Sequence, residues 1–245
     1  MLIFYDLGFT ETAIYSIIYE CIIQMVGCDC LFRMGRFDLI ELLVRVIAVL
    51  LAISIHEMSH GFGAYLLGDK TAKSMGRLSL NPLRHLDIVG SLCLLFFGFG
   101  WAKPVMVNPG YFKKPKRDMA LTSLAGPLSN FVMAFLGLLI FKLLSMAGLL
   151  FYGQLWSEIV AEFLSTFVML NIGLGVFNLI PIPPLDGSKI FLPLLPNRIY
   201  FDIMRYEHLG WIVLMVALTL DVLDPIIGNL GALVFNGLSF LVGGV

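Results

Sequence analysis

Three long apolar runs constrain the fold of this chain more than any other feature. They extend over Leu39–Leu67, Met119–Leu150 and Ile159–Ile180, and each is long enough for a transmembrane helix, which needs about 20 mainly apolar residues. The composition agrees, because 59% of the residues are hydrophobic and only 13% are charged. An ordinary soluble domain is about 45–50% apolar and about 25% charged. The sequence therefore excludes a soluble or disordered protein and indicates an integral membrane protein.

Weaker apolar segments add to these three runs. Two of them lie near the C-terminus, at Leu209–Leu223 and Ile226–Val245, and the first 30 residues are apolar but interrupted by acidic residues. We expect an all-α polytopic membrane protein with about five to six transmembrane helices. We divide it into an N-terminal apolar segment, residues 1–35, and a membrane domain, residues 36–245.

The segment Ile88–Trp101 is too short for a comfortable span, at 14 residues with three glycines. Basic residues cluster in the loops on both sides of it, which places both loops in the cytoplasm by the positive-inside rule. We therefore expect a re-entrant segment that enters and leaves the membrane on one side. Weak alternation in Arg77–Leu80 and Val105–Val107 predicts short strands beside it, so that the whole forms a short membrane-associated re-entrant β element.

The motif His56-Glu57-Met58-Ser59-His60 lies within the first long apolar run. Residues four apart share one face of a helix, so both imidazoles can bind one zinc ion, and Glu57 is placed to take a proton from a water molecule at the metal. Ionisable residues are costly to bury in an apolar helix. A bound dication offsets that cost, so the motif predicts a zinc site inside the membrane.

A catalytic zinc ion usually has three protein ligands, and Asp186 is the best candidate for the third. It follows the third long run in the sequence NLIPIPPLDG, where prolines end the helix and leave irregular backbone. Irregular backbone is tolerated at membrane depth only around a cavity or site. The alternative is that Asp186 caps the N-terminus of the following helix, a common role for aspartate.

These motifs resemble the site-2 protease family of zinc intramembrane metalloproteases, in particular the compact prokaryotic members without a PDZ domain. The resemblance extends over about residues 36–215. It is carried by HEMSH, by NLIPIPPLDG, and by the stretches GRLSLNPLRHLD, GWAKPV and AGPLSN. Residues 1–33 resemble nothing in the family.

The resemblance implies a zinc-dependent endopeptidase that cleaves transmembrane segments of other membrane proteins. His56, His60 and Asp186 would bind one Zn²⁺ ion, and Glu57 would be the catalytic base. Asn178 matches the family's asparagine at the scissile carbonyl, where an amide donor could stabilise the oxyanion. The alternative for Asn178 is a hydrogen bond that bends its own helix.

The expected partners are transmembrane protein substrates and the lipid bilayer. Nothing in the sequence resembles a nucleic-acid-binding surface, since the net charge is -1 and the basic residues are scattered among short loops. Their positions predict a multi-pass protein with its active site toward the cytoplasm, and the resemblance to compact prokaryotic members implies a prokaryotic cytoplasmic membrane.

Two other functions remain open at this stage. One is a metal-ion transporter that uses His56, His60 and Asp186 as its transport site, although it leaves Glu57 without a role and predicts repeated half-motifs that the sequence lacks. The other is a catalytically inactive homologue that binds membrane helices, for which loss of a ligand would be expected.

Overall fold

The structure is a computed structural model that describes residues 39–85, 103–150, 154–196 and 207–243, together with Arg198 and Ile203. In these residues the regular structure is helical. Four helices are long and apolar enough to cross a membrane: α1 (Leu39–Leu66), α3 (Pro115–Met146), α4 (Leu155–Asn178) and α7 (Asp224–Val242). The prediction of an all-α polytopic membrane protein is confirmed, with four candidate spans in the described part of the chain instead of five to six.

Three short helices connect these spans. α2 (Thr71–Ser74) follows α1, α5 (Asp186–Phe191) follows α4, and α6 (Glu207–Thr219) precedes α7. The 13 residues of α6 rise only about 20 Å at 1.5 Å per residue, which is less than the roughly 30 Å hydrocarbon core of a bilayer. The expected span at Leu209–Leu223 is therefore wrong for the residues described. The helix ends at Thr219, and the next turn contains Asp221 with a left-handed φ of 52°.

α4 is the most buried of the four long helices and forms the centre of the bundle. One side of it packs through Val168 and Ile172 in a cluster that includes Ala134 and Leu138 of α3. Phe167 and Leu170 of α4 also pack in a cluster with Ala48 and Ala52 of α1. Small residues on α1 and α3 let the helices approach closely, as is typical of membrane bundles.

The direction of α7 follows from a contact at the far end of α3. Lys142 donates hydrogen bonds from its Nζ to the carbonyl oxygens of Val242 and Gly243, at 2.9 and 2.6 Å. A lysine ammonium at the last carbonyls of a helix is favoured by hydrogen bonding and by the helix dipole. The C-terminal ends of α3 and α7 therefore lie at the same level. α7 therefore runs in the same direction as α3, so it starts on the side of the bundle to which α4 returns. This agrees with an α6 that is too short to cross the membrane.

The two segments predicted as strands are not strands. In the first segment Nε2 of His85 donates to the carbonyl oxygen of Ser79 at 2.7 Å, and Nη1 of Arg77 donates to the carbonyl oxygen of Arg84 beyond the segment. In the second segment the N–H of Val105 donates to a side chain. A strand needs neighbouring backbone as its partner, and side chains take that place here. The expected re-entrant segment Ile88–Trp101 lies outside the described residues, as does the N-terminal segment 1–35.

Candidate metal centre

α1 places His56 and His60 on one face, one helical turn apart, as the motif predicts. Both residues are buried, and their rings meet edge to face with centroids 4.6 Å apart. Their Nε2 atoms lie 3.0 Å from each other. Two imidazole nitrogens at this distance converge on one point beside the helix.

Asp186, at the start of α5, supplies the third candidate ligand atom beside the two histidines. Its Oδ2 lies 3.2 Å from Nε2 of His56 and 3.0 Å from Nε2 of His60. The three ligand atoms all lie within 4.8 Å of one another, and this is the cluster of metal-binding side chains found among the described residues. The N-cap position of α5 is Leu185, so Asp186 is the first residue inside the helix and not its cap.

Close backbone contacts hold the turn that carries Asp186. α4 ends at Asn178 and irregular backbone follows up to Leu185. A Cβ atom on Gly187 would lie 2.2 Å from the carbonyl oxygen of Leu179, and one on Gly210 would lie 2.2 Å from that of Pro183. Glycine is required at both positions because no other residue permits this approach. Gly187 packs the start of α5 against the end of α4, and Gly210 packs α6 against the same turn.

The three ligands fit a zinc ion. Tetrahedral zinc with bonds of about 2.0–2.1 Å separates its ligand atoms by about 3.3 Å, and the separations here are 3.0–3.2 Å. Two neutral imidazoles and one carboxylate form a donor set that zinc binds readily. Gly126 of α3 leaves room for this arrangement, since a Cβ atom there would lie 2.4 Å from Nε2 of His60 and 2.7 Å from Cε1 of His56.

α3 also contacts the far side of both imidazoles. Nδ1 of His60 donates to the carbonyl oxygen of Thr122 at 2.8 Å, which leaves Nε2 of a neutral ring free to bind a metal. Nδ1 of His56 lies 3.1 Å from the side-chain amide of Asn130. Such outer contacts orient metal-binding histidines and select their tautomer.

Glu57 lies next to the ligand set on α1 and is half-buried. Its Oε2 accepts a hydrogen bond from the backbone N–H of Val105 at 3.0 Å. The segment 103–108 thus passes beside the candidate base. One carboxylate oxygen of Glu57 is held by this bond.

Asp69 holds the segment 103–108 against the end of α1. Its Oδ2 accepts from the N–H of Asn108 at 2.7 Å, while its Oδ1 accepts from the N–H and the hydroxyl of Thr71 at 2.9 and 2.5 Å. Burial by itself raises the pKa of Asp69, but the hydrogen bonds from Thr71 and Asn108 outweigh it. The pKa of this carboxyl group therefore lies below its ordinary value.

Asn178 is the last residue of α4, ahead of the irregular turn that ends at Leu185. Its Nδ2 donates to the carbonyl oxygen of Leu174 at 2.9 Å, within its own helix. This is the bond expected for the helix-bending alternative. The catalytic role of Asn178 stays a prediction.

Several contacts at the site are ones that sequence reasoning missed. They involve Asp69, Val105, Thr122, Gly126 and Asn130, and four of the five depend on a backbone atom or on the absence of a side chain. The contact of Asn130 could have been predicted from its position in an apolar helix, because an amide buried there needs a hydrogen-bond partner.

Comparison with known proteins agrees with this geometry. The sequence profile described as Peptidase family M50 matches residues 44–220, a range that includes the HExxH motif and Asp186. The chain belongs to this family.

Relatives from several organisms share the name "Putative zinc metalloprotease". YwhC of Bacillus subtilis is 41% identical over 171 residues, which cover 70% of this chain and 78% of YwhC. Rip2 of Mycobacterium tuberculosis strain H37Rv is 32% identical over 70% of this chain and 66% of its own length. MJ0611 of Methanocaldococcus jannaschii is 26% identical over 81% of this chain and 94% of its own length. No solved structure matches the chain.

Membership of the M50 family confirms the resemblance to site-2 proteases and identifies the chain as a zinc metalloprotease. The expected cofactor, zinc, is confirmed by the same relatives and by the fit of His56, His60 and Asp186. The four apolar helices agree with a multi-pass membrane protein.

Proposed function

We propose that this chain is an intramembrane endopeptidase that hydrolyses peptide bonds within or near transmembrane segments of other membrane proteins. The depth of the metal ligands supports this most directly. His56 lies ten residues before the end of α1 at Leu66, which is about 15 Å at 1.5 Å per residue and therefore about half the thickness of a bilayer core. A substrate must reach that depth to be cut.

His56, His60 and Asp186 hold the zinc ion in this proposal. When bound, zinc acts as a Lewis acid that polarises the scissile carbonyl and makes a water molecule acidic enough to attack near neutral pH. Glu57 is the general base. Because Val105 holds its Oε2, the other carboxylate oxygen is the one available to the water.

The reaction is a hydrolysis whose protons pass through Glu57. The water oxygen bonds to the carbonyl carbon of the substrate while the Glu57 carboxylate accepts a proton from that water. The protonated Glu57 then gives the proton to the amide nitrogen as the C–N bond breaks. The proton that remains on the new carboxyl group passes to the amine, so the products are a carboxylate and an ammonium group, and Glu57 returns to its starting state.

Asn178 is proposed to stabilise the negative charge that develops on the carbonyl oxygen. Its amide already donates to Leu174, so this role requires its second N–H or a turn of the side chain. Replacement by Ala tests it. Loss of one oxyanion donor lowers kcat by about 100–1,000-fold, whereas a purely helix-bending role predicts a loss of stability with little change in kcat.

A substrate helix must unwind before it can be cut, because its carbonyls are engaged in the helix's own hydrogen bonds. The segment 103–108 supports this step in the proposal, since it is non-helical backbone up to the turn at Pro109 and it contacts Glu57. We propose that an unwound substrate pairs with backbone groups of this segment in the manner of strand addition.

We place the protein in a prokaryotic cytoplasmic membrane with the site opening toward the cytoplasm. The chain between the end of α1 and the first turn of α3 carries nine basic residues: Lys70, Lys73, Arg77, Arg84, Lys103, Lys113, Lys114, Lys116 and Arg117. The connection between α3 and α4 carries none. The positive-inside rule supports this orientation. Transmembrane proteins and the bilayer are the proposed partners.

The test uses the purified full chain in proteoliposomes with a reporter that has one transmembrane segment. We expect cleavage by the wild type and none above background by Glu57→Gln, which keeps its zinc because Glu57 is not a ligand. Mass spectrometry of the fragments locates the cut bond. Cleavage by Glu57→Gln at the wild-type rate would reject Glu57 as the base.

The same preparation distinguishes other outcomes. A bond cut only in a soluble loop of the reporter would leave a metalloprotease but reject cleavage within the membrane. Zinc flux into the vesicles without any cleavage would favour a transporter. If the protein binds the reporter but neither cleaves it nor transports zinc, the result would favour an inactive helix-binding protein.

A further inference from the structure

Asn130 faces the metal site from α3 without being one of its ligands. Its side chain is fully buried, with an exposed fraction of 0%. The nearest partner of its amide is Nδ1 of His56, 3.1 Å from Nδ2 of Asn130. The other end of the amide, Oδ1, is buried without a hydrogen-bond partner. A buried amide oxygen with no partner calls for an explanation.

The ligand geometry supplies that explanation. His56 presents Nε2 to His60 and Asp186, so a neutral ring that binds a metal through this atom carries its proton on Nδ1. An Nδ1–H that faces the NH₂ group of Asn130 would place two donors 3.1 Å apart. The two ends of a carboxamide have nearly the same shape. A rotation that exchanges them turns Oδ1 toward His56 and pairs both groups.

We propose that Asn130 is a positioning residue for the zinc site. Its Oδ1 accepts a hydrogen bond from Nδ1–H of His56, which holds the ring in the tautomer and orientation that direct Nε2 to the metal. Thr122 does the same for His60 through its backbone carbonyl. α3 thus orients both histidines of α1. The inference concerns zinc affinity and does not depend on which substrate the protein cleaves.

A purely structural role for Asn130 is the competing explanation, and the chain offers a matched control for it. Asn171 of α4 is also fully buried, and its Oδ1 also lacks a partner. Its Nδ2 donates to the carbonyl oxygen of Phe167, within its own helix. Asn171 therefore has the same chemistry and burial as Asn130 without a contact to a metal ligand.

The experiment measures the zinc dissociation constant of the purified full chain in detergent by competition with a chelating indicator. Asn130→Leu removes the acceptor and keeps the same branching and number of heavy atoms, and loss of an outer partner of a zinc-binding histidine lowers affinity by about 10–100-fold. Asn130→Asp keeps an oxygen toward His56, so we expect zinc affinity equal to or above that of the wild type. Asn171→Leu should leave the zinc dissociation constant within about threefold of the wild type, because zinc ligands keep their outer partners.

Two results would overturn the proposal. The first is an equal loss of zinc affinity in Asn130→Leu and Asn171→Leu, or no loss in either, which indicates packing alone. The second is a loss in Asn130→Asp as large as in Asn130→Leu, because the acceptor oxygen is then not what matters. If Asn130→Leu fails to fold, the zinc affinity of Asn130→Asp alone tests the proposal, because this variant replaces only the NH₂ group. Zinc affinity is measured without a substrate, so the result stands whether or not intramembrane cleavage is found.

Discussion

The carboxylate of Glu57 accepts a hydrogen bond from the backbone N–H of Val105, 48 residues further along the chain and 3.0 Å away. This bond connects the HExxH helix to the segment that precedes α3. A hydrogen bond to a charged group contributes about 1.5–3 kcal/mol. It restricts the orientation of the carboxylate and thereby selects which of its oxygens can face a water molecule.

Replacement of Val105 by Pro removes the N–H while it keeps an apolar side chain of similar size. We expect kcat/KM for a transmembrane reporter to fall by about 10–150-fold, because about 1.5–3 kcal/mol corresponds to that factor. Zinc stoichiometry should not change, since Val105 contacts no ligand atom. Val105→Ala keeps the N–H and serves as the control. Equal losses in both variants would show that the side chain matters and not the hydrogen bond.

Replacement of Gly126 by Ala tests the space beside the two histidines. The added methyl group would lie 2.4 Å from Nε2 of His60 and 2.7 Å from Cε1 of His56, so the ligands must shift. Overpacking of this kind costs about 1–3 kcal/mol. We expect this cost to lower the zinc affinity of Gly126→Ala by about 5–150-fold. The control is Gly237→Ala on α7, where an added Cβ meets nothing within 4 Å. Unchanged zinc affinity in Gly126→Ala would mean that the histidines bind metal in another arrangement.

Replacement of Asp186 by Ala removes the only carboxylate among the three proposed ligands. We expect the bound zinc to fall from one ion per chain to well below one and cleavage to fall in parallel, because two imidazoles alone hold the metal weakly. Elemental analysis of the purified protein, before and after dialysis against a chelator, measures the first effect. Asp186→His supplies another zinc ligand and should recover part of the metal. Full zinc occupancy in Asp186→Ala would identify a different third ligand.

Asp69 predicts a dependence of stability on pH. Its pKa is lower in the folded protein than in the unfolded chain, so the folded state is stabilised by its ionised form. That contribution is complete above the unfolded pKa of about 3.9 and is lost as the pH falls through the lower folded value. The protection factor of the Asn108 N–H, which compares its exchange rate with the intrinsic rate at the same pH, should therefore fall at acid pH. In Asp69→Asn the same amide should have a lower protection factor near neutral pH, with a weaker pH dependence. No difference between the two proteins would exclude Asp69 as the anchor of this segment.

Part of the site follows directly from the chain order. His56 and His60 are one helical turn apart in an apolar run, so local periodicity alone places them on one face. Asp186 is predicted as the third ligand because prolines end the preceding helix at membrane depth. It lies against both histidines, although 130 residues separate it from His56. The expected strands at Arg77–Leu80 and Val105–Val107 were wrong, because weak alternation does not reveal that the side chains of His85 and Glu57 bind backbone groups of Ser79 and Val105 in those segments.

Hydropathy and helical spacing are local properties, so the order of residues alone predicts a helical membrane protein and the residues that can bind zinc. How those residues are held depends on packing between segments that are distant in the chain. Asn130 at His56, Val105 at Glu57 and the close approach of both imidazoles to Gly126 are contacts between separate elements. A backbone N–H or a missing Cβ atom looks the same at every position of a sequence. Its role appears only when packing brings it within about 3 Å of the group it serves.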